Sequence, residues 1–106
     1  MEKLFAYGSL QNKEIQKAVF KRTLQGEADS LYGYELFRIR IPDDPGGTFY
    51  PAIKASNDKN SIVKGMVFKL KDKELPLADR YEGNSYRREK LMLDSGTKAW
   101  VYIFSS

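Results

Sequence analysis

Two residue types that carry much of enzyme chemistry, cysteine and histidine, are absent from this chain of 106 residues. Without cysteine, the chain can form no disulfide, bind no metal through a thiolate and offer no cysteine nucleophile. Without histidine, it lacks the Ser-His-Asp and Cys-His catalytic arrangements, histidine zinc sites and a histidine general base. Acid or base catalysis therefore falls to aspartate, glutamate, lysine or tyrosine.

Long apolar runs are also absent, since no stretch approaches the roughly 20 residues that span a bilayer. The first residues, Met1 to Leu4, lack the basic and then apolar layout of a secretion signal. The net charge is +4, with 18 basic and 14 acidic residues interspersed, which supports only a weak attraction for anions. These features predict a globular, cytoplasmic protein with one domain over residues 1–106 and no membrane partner.

Apolar patterning predicts about six strands and two short helices. The first helix, over residues 13–21, is expected to be capped by Asn12, and the second, over 71–81, to become regular near Pro76 and to end at Gly83. Because helices do not alternate regularly with strands, the pattern favours a mixed sheet or small barrel over a doubly wound parallel sheet. Pro51 predicts an edge or a bulge, and the strand 98–104, apolar on both faces, predicts an interior position. The predicted strands cover residues 4–7, 31–41, 49–53, 62–70, 86–93 and 98–104.

The first candidate site is the turn Tyr7-Gly8-Ser9-Leu10, where a strand passes through glycine into a helix. Such a turn leaves backbone N–H groups unpaired, and these can hold a carboxylate or an oxyanion. Gly8 permits close approach because it has no Cβ atom. The alternative is an ordinary strand-to-helix connection. Ser9 is not expected to act as a nucleophile, since there is no histidine to activate it and no G-x-S-x-G context.

The second candidate is Glu82, which ends the second predicted helix between two tyrosines and next to Gly83. A carboxyl group partly buried among aromatic rings has a raised pKa, as a general base working near neutral pH requires. The alternative is a surface glutamate that forms an ion pair with a nearby arginine, namely Arg80, Arg87 or Arg88.

Two further features are not expected to carry catalysis. Asp43 and Asp44 lie between prolines in a loop and are interpreted as solvated turn residues. Aromatic residues make up 13% of the chain, but most of them alternate along strands as core residues do. A small barrel that stacks nucleic-acid bases on exposed aromatic rings is therefore the least favoured interpretation.

Several short motifs, taken in order, resemble those of the gamma-glutamylcyclotransferase-like superfamily, which includes gamma-glutamylamine cyclotransferases and the avirulence-induced-gene proteins of plants. The departures are Ala78, where the family usually has leucine, Pro76 in the preceding helix, and a short segment between Glu82 and Tyr86. They concern the shape of the pocket more than the fold. The matching motifs are Leu4-Phe5-Ala6-Tyr7-Gly8-Ser9-Leu10, Tyr50-Pro51-Ala52-Ile53, Gly65-Met66-Val67-Phe68, Asp79-Arg80-Tyr81-Glu82-Gly83 with Tyr86 and Arg88, and Trp100-Val101-Tyr102.

The resemblance implies an α+β fold, a small mixed β-barrel with two short helices and a cavity at one end. It also implies an acyltransferase or lyase that cleaves a gamma-glutamyl amine or dipeptide by attack of the substrate's own α-amine, releasing 5-oxoproline and a free amine. Glu82 would be the general acid and base, and no metal or organic cofactor is implied. The partner would be this small molecule rather than a nucleic acid. The implied substrate-binding residues are Tyr7, Gly8, Ser9, Leu10 and Tyr86.

The identity of the leaving amine and the oligomeric state stay open. Specificity is expected to depend on the loops 42–48 and 83–86. A module of the same fold that binds a small molecule without converting it is the alternative function.

Overall fold

The computed structural model describes residues 1–40 and 46–105, and within them the chain forms seven strands and two α-helices. Asp43, Asp44 and the first part of the predicted loop 42–48 lie outside the described residues. The elements are β1 (Glu2–Ala6), α1 (Lys13–Phe20), β2 (Gly26–Tyr32), β3 (Tyr34–Arg40), β4 (Phe49–Ala55), β5 (Ile62–Leu70), α2 (Leu75–Glu82), β6 (Tyr86–Met92) and β7 (Lys98–Phe104).

The strands form a five-stranded sheet in the order β2-β5-β1-β7-β6 and a separate two-stranded sheet of β3 and β4. β1 pairs in parallel with β7, whereas the other pairs are antiparallel. The predicted mixed α+β fold is confirmed, and β7 is an interior strand as expected. In the part of the chain that the structure describes, the sheets do not close into a barrel, and the strands number seven rather than about six.

The predicted strand over residues 31–41 is wrong, because Gly33 divides it into two strands that belong to different sheets. Gly33 has a φ of +83°, in the left-handed region that favours glycine. Its N–H donates to Ser61 O at 2.8 Å, and its carbonyl accepts from Ser56 N at 2.9 Å. The chain therefore turns out of the large sheet after Tyr32 and enters the β3–β4 hairpin at Tyr34.

Both α-helices begin and end close to the predicted residues. The side chain of Asn12 accepts hydrogen bonds from the N–H groups of Glu14 and Ile15, which caps α1 as expected. α2 has Pro76 in its first turn, where the missing N–H costs nothing, and it ends at Gly83 with a φ of +81°. Over residues 1–40 and 46–105, neither helix is long and apolar enough to cross a membrane.

Two apolar clusters occupy opposite faces of the five-stranded sheet, because successive strand residues point to opposite sides. Leu4 of β1 packs with residues of α1 and α2 on one face, whereas its neighbour Phe5 packs on the other face with Ile53 of β4. Pro51 lies in β4, which among the described strands pairs only with β3, so the predicted edge position is confirmed. The sheet is thus covered by helices on one face and by the hairpin on the other.

Candidate active site

A cavity of about 280 Å³ opens at the end of β1, where the helix layer, the large sheet and the β3–β4 hairpin meet. Six lining residues are the ones expected from the sequence, so the fold brings the two candidate segments together around one space. Four further residues, all with ring-containing side chains, come from β4, α2 and β7 and form much of the remaining wall. The six expected residues are Tyr7, Gly8, Ser9, Leu10, Glu82 and Tyr86, and the four others are Tyr50, Pro51, Tyr81 and Tyr102.

Glu82 is the last residue of α2, and its carboxyl group is partly buried in the cavity wall. Burial raises its pKa from 4.5 to about 7, because a charged carboxylate is poorly solvated there. Of the described residues that line the cavity, Glu82 alone carries a formal charge. No hydrogen bond or ion pair from a described residue reaches its carboxyl group.

The structure therefore does not support the alternative in which Glu82 is a surface residue that forms an ion pair with an arginine. Arg88 instead binds Asp79, with its Nε 2.7 Å from Oδ1, and Arg87 binds Glu89, with its Nη2 2.7 Å from Oε2. Glu82 is thus left with the properties of a general base, since it can exchange a proton near neutral pH.

Three tyrosine side chains surround Glu82 but direct their hydroxyl protons elsewhere. Tyr7 donates to Tyr102 O at 2.6 Å, and Tyr86 donates to Pro51 O at 2.7 Å. Tyr102 donates to Asp79 Oδ1 at 2.8 Å. Burial, followed by the nearby Glu82 carboxylate, raises the pKa of Tyr86 to about 12, and burial raises the pKa values of Tyr7 and Tyr102 further. These hydroxyls are therefore neutral at physiological pH.

The turn after β1 lines the same cavity as Glu82. The 3₁₀ turn Ser9–Gln11 follows Gly8, and the first N–H groups of a helical turn have no acceptor within it. A Cβ atom on Gly8 would lie 3.0 Å from Pro51 Cγ, so the close approach of the hairpin favours glycine here. The hydroxyls of Ser9 and Tyr81 share a hydrogen bond at 2.6 Å, which joins this turn to α2.

The sequence did not identify the group that holds α2 in place. Asp79 accepts from Arg88 at 2.7 and 3.0 Å and from the Tyr102 hydroxyl at 2.8 Å. The available signal was the position of Asp79, three residues before Glu82, since that spacing puts both on one side of a helix. Tyr50 and Pro51 belong to one of the family-like motifs, but nothing local placed them in the site, because they come from the other sheet.

Comparisons with known proteins agree with this fold. The sequence model of the family described as gamma-glutamyl cyclotransferase, AIG2-like, matches residues 4–106. AIG2-like protein C of Arabidopsis thaliana is 32% identical over 105 residues, which cover 95% of this chain and 56% of that protein. A solution structure from Arabidopsis thaliana has a TM-score of 0.74 at 28% identity, covering 97% of this chain and 61% of the other. A gamma-glutamyl cyclotransferase structure has the same fold, with a TM-score of 0.77 at 19% identity, covering 99% and 67%.

Proposed function

The chain belongs to the gamma-glutamyl cyclotransferase, AIG2-like family, and from this premise we propose that its cavity converts a γ-glutamyl amine or dipeptide into 5-oxoproline and a free amine. The observation that carries the proposal is the Glu82 carboxyl group, which no other described residue pairs and whose pKa is raised to about 7 by burial. A general acid and base is most effective when its pKa lies near the working pH. The remainder of the described cavity wall is neutral, so Glu82 is the group on which proton transfer depends.

The reaction suits a chain that has neither cysteine nor histidine. The nucleophile is the α-amine of the substrate, which attacks the γ-carbonyl carbon and closes a five-membered ring. Holding the flexible γ-glutamyl chain in a bent conformation supplies much of the rate, since effective molarities reach about 10⁵ to 10⁸ M in well-oriented intramolecular reactions. The protein therefore needs a binding surface and a proton carrier, and it needs no nucleophile of its own.

Proton transfer is assigned to Glu82 in both halves of the reaction. The carboxylate first removes a proton from the substrate α-ammonium, which frees the nitrogen lone pair for attack. The attacking nitrogen loses its second proton to solvent in the tetrahedral intermediate, and the C–N bond to the leaving amine then breaks as the protonated Glu82 delivers its proton to the leaving nitrogen. The carboxylate is regenerated, and positioned proton transfer of this kind contributes roughly 10² to 10⁴ in rate.

The two charged groups of a γ-glutamyl moiety would have separate partners in the cavity. Its α-ammonium would face Glu82, the only charged side chain among the described lining residues. Its α-carboxylate would face the backbone N–H groups of Gly8, Ser9 and Leu10, because the described wall offers no cationic side chain. Tyr7 and Tyr86 would form the neutral wall between these two ends.

The test is release of 5-oxoproline from γ-glutamyl-alanine, ε-(γ-glutamyl)-lysine and other γ-glutamyl amides. Glu82→Gln should fold and lose turnover, whereas the matched control Glu14→Gln, on the exposed face of α1, should keep it. Full activity of Glu82→Gln would refute the mechanism. Tight binding of a γ-glutamyl compound that is recovered unchanged would instead favour a module that binds this ligand without converting it.

A further inference from the structure

The carboxyl group of Asp79 connects α2 to two strands of the large sheet. Arg88 on β6 approaches it with Nε 2.7 Å from Oδ1 and Nη2 3.0 Å from Oδ2. Tyr102 on β7 donates its hydroxyl to Oδ1 at 2.8 Å. The guanidinium group of Arg88 also lies 4.4 Å from the ring centre of Trp100, which limits its movement. Asp79 is therefore held by three donors in a fixed geometry.

This arrangement affects Glu82 in two ways. Asp79 and Glu82 are three residues apart on α2, so any rotation of the helix that moves one also moves the other. Tyr102 lines the cavity beside Glu82, yet its hydroxyl points to Asp79. Its backbone carbonyl accepts from the Tyr7 hydroxyl at 2.6 Å, which fixes a second hydroxyl away from Glu82.

We infer that Asp79 is a positioning residue: by binding Arg88 and the Tyr102 hydroxyl, it fixes α2 and keeps both donors away from the Glu82 carboxyl group. The inference rests on the proposed function. The titratable groups that share the cavity wall with Glu82 are Tyr7 after β1, Tyr50 on β4, Tyr81 on α2, Tyr86 on β6 and Tyr102 on β7. Asp79 and Arg88 line a neighbouring surface depression together with Tyr86 and Tyr102.

Loss of the Asp79 carboxylate would leave a guanidinium and a phenol without their acceptor, one helical turn from Glu82. A hydrogen bond or a cation next to a carboxylate favours its charged form and lowers its pKa. Glu82 would then be a weaker base. The C-terminal end of α2, no longer bound to β6 and β7 through Asp79, would also fix the position of the Glu82 carboxyl group less firmly. A displacement of about 1 Å can lower a rate about 10²-fold, so the effect on kcat should be large.

The test compares Asp79→Ala with the double variant Asp79→Ala/Tyr102→Phe. We expect Asp79→Ala to lower kcat by about 10- to 100-fold, with a smaller change in KM, and to move the acidic limb of the pH–rate profile to lower pH. Removing the Tyr102 hydroxyl in the same background should move the limb back toward the wild-type position. Asp72→Ala, at an exposed position just before α2, is the matched control and should behave as wild type. If Asp79→Ala does not fold, Asp79→Asn should show a smaller shift in the same direction.

A purely structural role for Asp79 would lower the melting temperature without moving the acidic limb, and that result would overturn the inference. An independent readout is the titration of the Glu82 carboxyl carbon by ¹³C NMR, with the resonance assigned by its loss in Glu82→Gln. A lower midpoint in Asp79→Ala that recovers in the double variant supports the inference, whereas equal midpoints contradict it. If the wild-type protein releases no 5-oxoproline, the proposed function fails, and this titration alone decides whether Asp79 controls Glu82.

Discussion

The carboxyl groups of Asp79 and Glu82 lie one turn apart on α2, and their pKa values are shifted in opposite directions. Hydrogen bonds from Arg88, and with a smaller effect from Tyr102, hold the pKa of Asp79 below its usual range. Burial without a donor from any described residue raises the pKa of Glu82 to about 7. The two environments give one carboxylate a fixed charge and the other an exchangeable proton, a pattern by which acid–base candidates are recognised.

The pH dependence of turnover should follow the ionisation of Glu82. Since only the carboxylate can accept the first proton, kcat/KM should fall about tenfold per pH unit below a pKa of about 7 and become constant above it. Tyr86 does not interfere, because its pKa is raised to about 12. Initial rates of 5-oxoproline release between pH 5 and 9 measure this directly. A flat profile across that range would contradict the assignment of Glu82 as the base.

Stability should show the opposite pH dependence. The folded-state pKa of Glu82, about 7, lies above its unfolded value of 4.5, so the folded state binds the proton more tightly. Its contribution to stability is therefore complete below pH 4.5 and is lost as the pH rises through 7. Glu82→Gln, which cannot ionise, should be more stable than wild type at pH 8 by about 1–3 kcal/mol, and the difference should shrink toward pH 4.5. Urea unfolding at both pH values tests this, with Glu14→Gln as a control that should show no such trend.

The elements predicted best from the sequence are those whose signals are local. β5 covers Ile62–Leu70, as its apolar alternation predicts, and α1 begins after Asn12 because a side-chain cap needs only neighbouring residues. The boundary at Gly33 was missed because an isolated glycine is compatible with both a strand and a turn. Its turn is fixed by hydrogen bonds with Ser56 and Ser61, far along the chain.

The candidate site shows the same limit. Glu82 and the turn after β1 were identifiable from short motifs, but the sequence left open which carboxylate Arg88 would bind. That choice depends on how α2 is rotated against β6 and β7, and so on packing between elements distant in sequence. The sequence alone could not assign Pro51 to the cavity wall, because that assignment depends on the hairpin folding over the end of β1.

Substitution of Gly8 by alanine should disturb the cavity through Pro51. The φ of Gly8 is −123°, which alanine can adopt, but the added Cβ would lie 3.0 Å from Pro51 Cγ. Overpacking of this kind typically costs about 1–3 kcal/mol, and here it would also move the turn that is proposed to bind the substrate carboxylate. We expect lower stability in urea and a raised KM.

The double variant Gly8→Ala/Pro51→Ala tests the cause. Gly8→Ala should cost much less stability in the Pro51→Ala background than in the wild type, because the close contact with the proline ring no longer exists. If the stability lost in the double variant equals the sum of the losses in the two single variants, the contact with Pro51 is not the cause of the Gly8→Ala effect.

Gln16 should be required for the position of the turn Ser9–Gln11. Its side chain is fully buried, with Nε2 donating to Leu10 O at 2.8 Å and Oε1 accepting from Leu24 N at 2.8 Å. Gln16→Met keeps the approximate size but leaves a buried carbonyl and a buried N–H unpaired, each costing about 1–3 kcal/mol. We expect a large loss of stability, whereas Gln25→Met, at an exposed position, should change stability by less than about 0.5 kcal/mol. Because Leu10 lines the cavity, Gln16→Met should also raise KM for a γ-glutamyl substrate. Equal urea midpoints for the two variants would show that the buried amide does not hold this turn.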